Sequence, residues 1–330
     1  MTNGCISRQN VTLPARQATK AFFITQLPGR RPGWPMLQFA ALAPPPPPHQ
    51  KEIGVTPDQY CQDKAAKSGS SFYYSSLLLP PERRRALTAL QAWRLELDAI
   101  VHENHDAGVA LQRLDWWRAE LRRLYEGSPN HPVSHALLPY LASLPQAEMT
   151  QVLDGTEMDL AQSRYFDEGA LGRYCRLVGG TLGKLSARLL GFTDERTLES
   201  TEKLGLSQMR IRIVREVGHD ARQGRVYIPV DTLQRFEVPV ADIMQSRHSP
   251  QFVALMREQA TLARTLYQEA LALLPRADRR AQRASLARAA IHHALLDEIE
   301  ASDFQVLTQR IALTPMRKLW LAWKTWLRNG

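Results

Sequence analysis

From Thr56 to the C-terminus, apolar residues recur at intervals of three and four almost without a break, and the strict alternation of a half-buried strand is nearly absent. That periodicity constrains the fold more than any other feature of the chain. A sequence so patterned buries one stripe per helix and has little to give to a sheet. Helices are expected near 57–67, 81–104, 107–126, 133–144, 146–163, 167–191, 194–222, 250–273, 277–300 and 315–328. Their ends are marked by "LPPERRRA", "EGSPNHP" and "GFTDER", and Thr56-Pro57 forms an N-cap and first-turn pair. The expectation is one all-α body of about ten helices, without internal repeats and without a glycine-rich phosphate loop.

Residues 1–54 read differently. "LPGRRPGWP" and "APPPPPHQ" break any regular element, so this part is expected to be a disordered, Pro-rich, basic extension, with the folded domain at 55–330. The formal charge is +9, and residues 1–50 supply +5 of it through Arg8, Arg16, Lys20, Arg30 and Arg31 with no acidic residue. The remaining +4 makes the folded part mildly basic, which suits an anionic ligand or a membrane surface, and no nucleic-acid partner is expected. Cys5, Cys61 and Cys175 are odd in number and widely spaced, which indicates neither a disulfide framework nor a zinc ribbon. No apolar run approaches the ~20 residues of a membrane span. A cytoplasmic protein is expected, with peripheral contact on the inner face of the membrane.

Three stretches stand above this background. In "SGSSFYYSSLLLPPERRRA" (68–86), hydroxyl residues precede paired tyrosines and three arginines, groups that near helix ends can hold a diphosphate, or merely cap a helix beside a solvated basic turn. In "RYCRLVGGTLGKLSARLLG" (173–191), Gly179, Gly180 and Gly183 each cost roughly 1 kcal/mol against alanine in a helix. Either a neighbouring helix packs very closely there or a bulky apolar ligand lies on the bared backbone. In "RIRIVREVGHDARQGRVYIP" (210–229), Arg212, Glu216 and Asp220 fall on one helical stripe, as in a carboxylate pair for Mg2+ or an ordinary salt-bridged face.

Taken in order with "QRLDWWRAEL" and "GTEMDL", these segments resemble the squalene/phytoene synthase family over nearly all of 57–328, and within it most resemble the bacterial presqualene diphosphate synthases. The resemblance implies an isoprenoid synthase helical bundle with a central apolar cavity. It implies head-to-head prenyl transfer on farnesyl or geranylgeranyl diphosphate, with Mg2+ held by two aspartate-rich motifs on facing helices. It assigns Ser70, Ser71, Arg225 and Tyr227 to substrate binding and Gly180 to the cavity wall. Tyr174, Arg215 and Tyr73 become the catalytic candidates.

The metal motifs depart from that pattern. The first, C-R-E-x-D-D-x-x-D in the family, here retains Glu96 and Asp98 but carries Leu95, Ala99 and His102; the second, N-x-x-R-D-x-x-x-D, retains Arg215 and Asp220 but carries Arg212 and Glu216. Asp98, His102, Glu216 and Asp220 are therefore the candidate metal residues, and Arg212, expected to pair with Glu216 or Asp220, becomes a candidate substrate residue. Neutral histidine is a poor ligand for so hard a cation as Mg2+. A guanidinium about 4 Å from a divalent ion repels it by roughly 8 kcal/mol at an effective dielectric near 20. Three readings stay open: a prenyl transferase working with fewer metals, a catalytically dead homologue binding a prenyl lipid or a protein partner, and a remodelled site around a softer metal.

The C-terminal "TPMRKLWLAWKTWLRNG" places Trp320, Trp323 and Trp326 at every third position among Arg317, Lys318, Lys324 and Arg328. This is the pattern of a basic aromatic helix lying in a membrane interface, or of a terminal helix docking its tryptophans into the core. His292, His293 and Asp297 cluster on one helix and are expected to form a packed or solvated face.

Overall fold

The computed structural model describes residues 55–103 and 106–329. The expected extension over 1–54 lies outside the described residues. The elements run α1 (Pro57–Ala65), α2 (Ser71–Ser76), α3 (Pro81–Glu103), α4 (Ala107–Tyr125), α5 (Pro132–Leu137), α6 (Gln146–Ala161), α7 (Glu168–Cys175), a π-helical segment (Arg176–Gly180), α8 (Thr181–Leu190), α9 (Arg196–Arg222), α10 (Val230–Arg235), α11 (Val240–Met244), α12 (Pro250–Leu273), α13 (Arg283–Ala301) and α14 (Pro315–Arg328). Among the described residues there is no strand, only one isolated bridge between Arg164 and Val226.

Several helices begin where the sequence places a cap. Thr56, Ser249 and Thr314 each precede a proline and accept a backbone N–H of the first turn through the side-chain oxygen, while Asp106 and Asp167 do the same for α4 and α7. Such caps are worth about 1 kcal/mol each. Three short helices, α2, α10 and α11, were not expected, because five or six residues are too few to show a period. The expected helix over 133–144 loosens after Leu137 into a 3-10 turn, Leu138–Ser143, where Pro139 removes a backbone donor.

The 27-residue α9 is the axis of the molecule and packs on α8, α12 and α13. Its face toward α12 is built from small residues: Ser200 and Ser207 donate to the carbonyls of Ala270 and Ala263 at 2.8 and 2.7 Å. Buried Asp278 ties down its beginning by accepting from the hydroxyls of Thr193 and Thr197 at 2.7 and 2.6 Å. One large core surrounds α9 and α12, and a second gathers α1, α3, α4, α5 and α6 around Trp93 and Trp117. Removing a side chain such as Trp93 from this packing costs about 3–5 kcal/mol. Between the two cores the helices part and leave a cavity.

Candidate functional site

The cavity has a volume of about 660 Å³ and is walled by α2, α3, the π segment with α8, α9 and α13. That size falls within the range of sites that enclose a small organic ligand. Its two ends differ. One is apolar, with Leu87, Leu90, Leu182 and Leu204 on its surface; at the other, Arg94, Arg212, Arg215 and Arg310 meet, among the described residues, the carboxylates Asp98, Glu216 and Asp220, and Arg288 lies over the Phe72 ring at 5.9 Å.

Both motif segments reach the charged end, Asp98 and His102 from α3 and Arg212, Arg215, Glu216 and Asp220 from α9. They are cross-linked directly. Arg212 Nη2 donates to His102 Nε2 at 2.8 Å, which leaves the imidazole proton on Nδ1, a buried atom with no hydrogen-bond partner among the described residues. Burial and then the Arg212 cation push the His102 pKa down to about 4, so the ring is a neutral acceptor. Arg212 itself is held cationic. Burial works against its charge, and Tyr174, Asp98, Tyr227 and Asp220 around it more than offset that.

The expected pairing of Arg212 with Glu216 or Asp220 is thus corrected. Glu216 instead accepts from Arg215 Nε at 2.6 Å and from Arg310 Nη2 at 3.0 Å, while Asp98 pairs with Arg94 at 2.6 Å. The reason is geometric: the side chain of Arg212 runs across to α3, and neighbouring Arg215 and the loop residue Arg310 reach Glu216 first. Asp220 stands apart, buried, its Oδ2 without a hydrogen-bond partner among the described residues. Desolvation, with Glu216 and Asp159 adding to it against Arg212 and Arg225, lifts its pKa to about 6.

Do these residues fit Mg2+? They do not. Two of the three carboxylates are occupied by guanidiniums, the nearest imidazole is engaged by another, and among the described residues no group of three His, Cys, Asp or Glu side chains could hold a metal ion. Mg2+ wants near-octahedral oxygen ligands, which this constellation does not supply.

Tyr174 and Tyr227 lie behind the cavity wall. Both phenols donate to Asp159 Oδ2 at 2.9 Å, and Arg225 Nη1 donates to the Asp159 carbonyl at 2.7 Å and to Oδ1 at 3.2 Å. Tyr165 completes a stack of three rings. Burial pushes the Asp159 carboxyl upward, opposed by Arg225 and the two phenols. Tyr174, Arg225 and Tyr227 thus gather around an aspartate, and none of the three lines the cavity surface. Near the other end, Ser70 caps α2 by accepting from Tyr73 N at 3.0 Å, and Tyr73 borders a separate recess with Arg84. The α2 residues on the main cavity are Phe72, Ser75 and Ser76.

The glycines resolve toward close packing. A Cβ on Gly183 would lie 2.1 Å from the Thr201 carbonyl oxygen and one on Gly179 would lie 2.8 Å from that of Gly205, so the π segment and α8 touch α9 backbone to backbone. Gly179 and Gly183 also border the cavity, whereas Gly180 faces the flexible side chain of Glu202.

Several site residues were missed in the sequence. Asp159 lies in the quoted "GTEMDL" segment, which was its only signal. Arg94 occupies a motif column, but Arg288 and Arg310 belong to no motif and come to the site from α13 and the loop before α14. His292, expected on a packed or solvated face, borders the cavity with a pKa pushed down to about 3 by burial, and His293 stacks on Tyr267 at 3.8 Å.

An all-α bundle enclosing a cavity between two motif-bearing helices defines the isoprenoid synthase class, and the comparisons agree. The squalene/phytoene synthase model matches residues 65–317. The chain belongs to the squalene/phytoene synthase family. It is 31% identical over 243 residues to a chloroplastic phytoene synthase of an Oncidium hybrid cultivar, covering 71% of this chain and 59% of the relative. It is also 31% identical to the phytoene synthase of Arthrospira platensis, covering 71% of this chain and 81% of that one. The chain thus spans about three-fifths of the length of the Oncidium relative. In fold it resembles a dehydrosqualene synthase solved with a ligand, with a TM-score of 0.74 at 23% identity over 83% of this chain and 97% of that one. Squalene synthase HpnC from Alicyclobacillus acidocaldarius superposes with a TM-score of 0.66 at 21% identity, over 75% and 94% of the two chains.

Proposed function

We propose that this protein holds a prenyl diphosphate or a polyisoprenoid lipid in the cavity by arginines alone, and that it has lost the metal-dependent condensation of its family. The observation that carries this reading is the Arg212–His102 bond, which joins the two motif helices at the position where they would share metal ions. A diphosphate needs compensating positive charge and hydrogen-bond donors, and guanidiniums supply both without a metal. Arg288 suits the role further. It is half-buried, its buried Nε has no partner among the described residues, and desolvation with the nearby Arg94 pulls its pKa down to about 10, so an anion would stabilise its charge. The apolar end would take the hydrocarbon chain.

Isothermal titration with farnesyl diphosphate, in Mg2+ and then in EDTA, tests the proposal. Equal affinity in both, with no pyrophosphate released, is expected. A second reading, a surviving prenyl transferase, draws support from Asp220, whose buried Oδ2 has no hydrogen-bond partner among the described residues. Release of pyrophosphate with a C30 product, abolished by Asp98→Ala or Glu216→Gln, would establish that reading and overturn the first.

A further inference from the structure

We infer that α14 anchors the protein to the surface of an anionic phospholipid bilayer, whatever the cavity holds. The tryptophans expected to act together are divided by the fold. Trp326 turns inward, packed on two core clusters with Arg283 over its ring at 5.3 Å, and Ala322 is buried beside it. Trp320 and Trp323 turn outward, 54% and 45% exposed, with ring centroids 5.1 Å apart. Met316 and Leu327, 73% and 63% exposed, extend the same row. The spacings of four, three and four residues put Met316, Trp320, Trp323 and Leu327 on one face, an apolar stripe along the whole of α14.

Charge selects the occupant. One position round the helix, Arg317, Lys324 and Arg328 form a parallel row, and residues 304–330 contain five basic side chains, Arg310, Arg317, Lys318, Lys324 and Arg328, with no acidic one. Arg317 is paired with Glu298, but Lys324 and Arg328 make no ion pair among the described residues. An exposed aromatic stripe beside a basic row matches a bilayer interface, with rings at headgroup depth and cations against anionic lipid. The helix also sits on α2 and α13, two walls of the cavity, so attachment would bring the cavity close to the lipid from which an apolar ligand could come.

The test is co-sedimentation of the full chain with vesicles of phosphatidylcholine containing phosphatidylglycerol, against phosphatidylcholine alone. Stronger binding to the anionic vesicles is expected, with partitioning reduced roughly tenfold in the Trp320→Ala, Trp323→Ala variant. Lys324→Glu with Arg328→Glu, on exposed positions, is expected to abolish the preference for anionic lipid. Brominated lipid is expected to quench tryptophan emission in the parent chain and not in the tryptophan variant. Binding that is unchanged in both variants, or a dimer in light scattering that the tryptophan variant dissolves, would overturn the inference. Farnesyl diphosphate is absent throughout, so failure here leaves the reading of the cavity untouched.

Discussion

Two parts of one cavity have been treated differently in this chain. Along the seam where the π segment and α8 meet α9, Gly179, Gly183 and Gly205 retain a contact in which no side chain has room. At the charged end, the facing positions of α3 and α9 carry histidine and arginine and form bonds of their own. Packing at the seam fixes how far apart the helices stand, and hence whether a cavity exists. The charged end decides what the cavity does. A bundle can therefore keep its hollow whichever groups line its charged end.

The largest effect that could break this contrast is at the seam. Gly183→Ala is expected to cost more than about 3 kcal/mol, because the new methyl meets the Thr201 carbonyl rather than a movable side chain. Gly180→Ala, facing the Glu202 side chain, is expected to be neutral or slightly stabilising through helix propensity. Urea unfolding of both separates them, and equal costs would show that the seam is looser than its geometry.

Next come the two buried aspartates. Asp159→Ala strands two phenols and a guanidinium and is expected to cost on the order of 3 kcal/mol. Asp220→Asn should go the other way at neutral pH. Its folded pKa is raised to about 6 from an ordinary value of 3.8, so the native state binds the proton more tightly than the unfolded chain does. Its contribution is full below pH 3.8 and lost as the pH rises through 6. Asp220→Asn is therefore expected to flatten that segment of the stability profile, measured by chemical denaturation across pH 4–7, and a profile unchanged by the substitution would contradict the assignment.

The smallest effect is spectroscopic. Arg212→Asn removes the cation that helps to depress His102, and the ring's pKa is expected to climb from about 4 toward 6.5 in an NMR titration. If it stays near 4, burial alone holds it there and the bridge between the motifs is incidental.

The long helices and the Thr56-Pro57 start could be read from the sequence because each depends on local spacing, whereas the meeting of both motifs at one site was an expectation that rested on the family resemblance. The partners of the charged groups could not. Arg94 and Asp98 are one turn apart and readable as a pair, but Arg310 reaches Glu216 from 94 positions away in the chain, and Asp159 gathers Tyr174, Tyr227 and Arg225 from two later elements. Trp326 differs from Trp320 and Trp323 only in facing α13 and the core, a fact of docking rather than of composition.

The π segment at 176–180 has a consequence for how one length of chain serves both regions. Its turn closes from Thr181 back to Arg176, one residue more than an α turn, and each surplus residue swings everything beyond it by about 100°. Tyr174 can thus point toward Asp159 while Gly183, two turns on, lies flat against α9. Excising a residue between 176 and 180 would restore an unbroken spiral and misdirect one of the two ends, so the extra residue works as a phase shifter between the aromatic stack and the glycine contact.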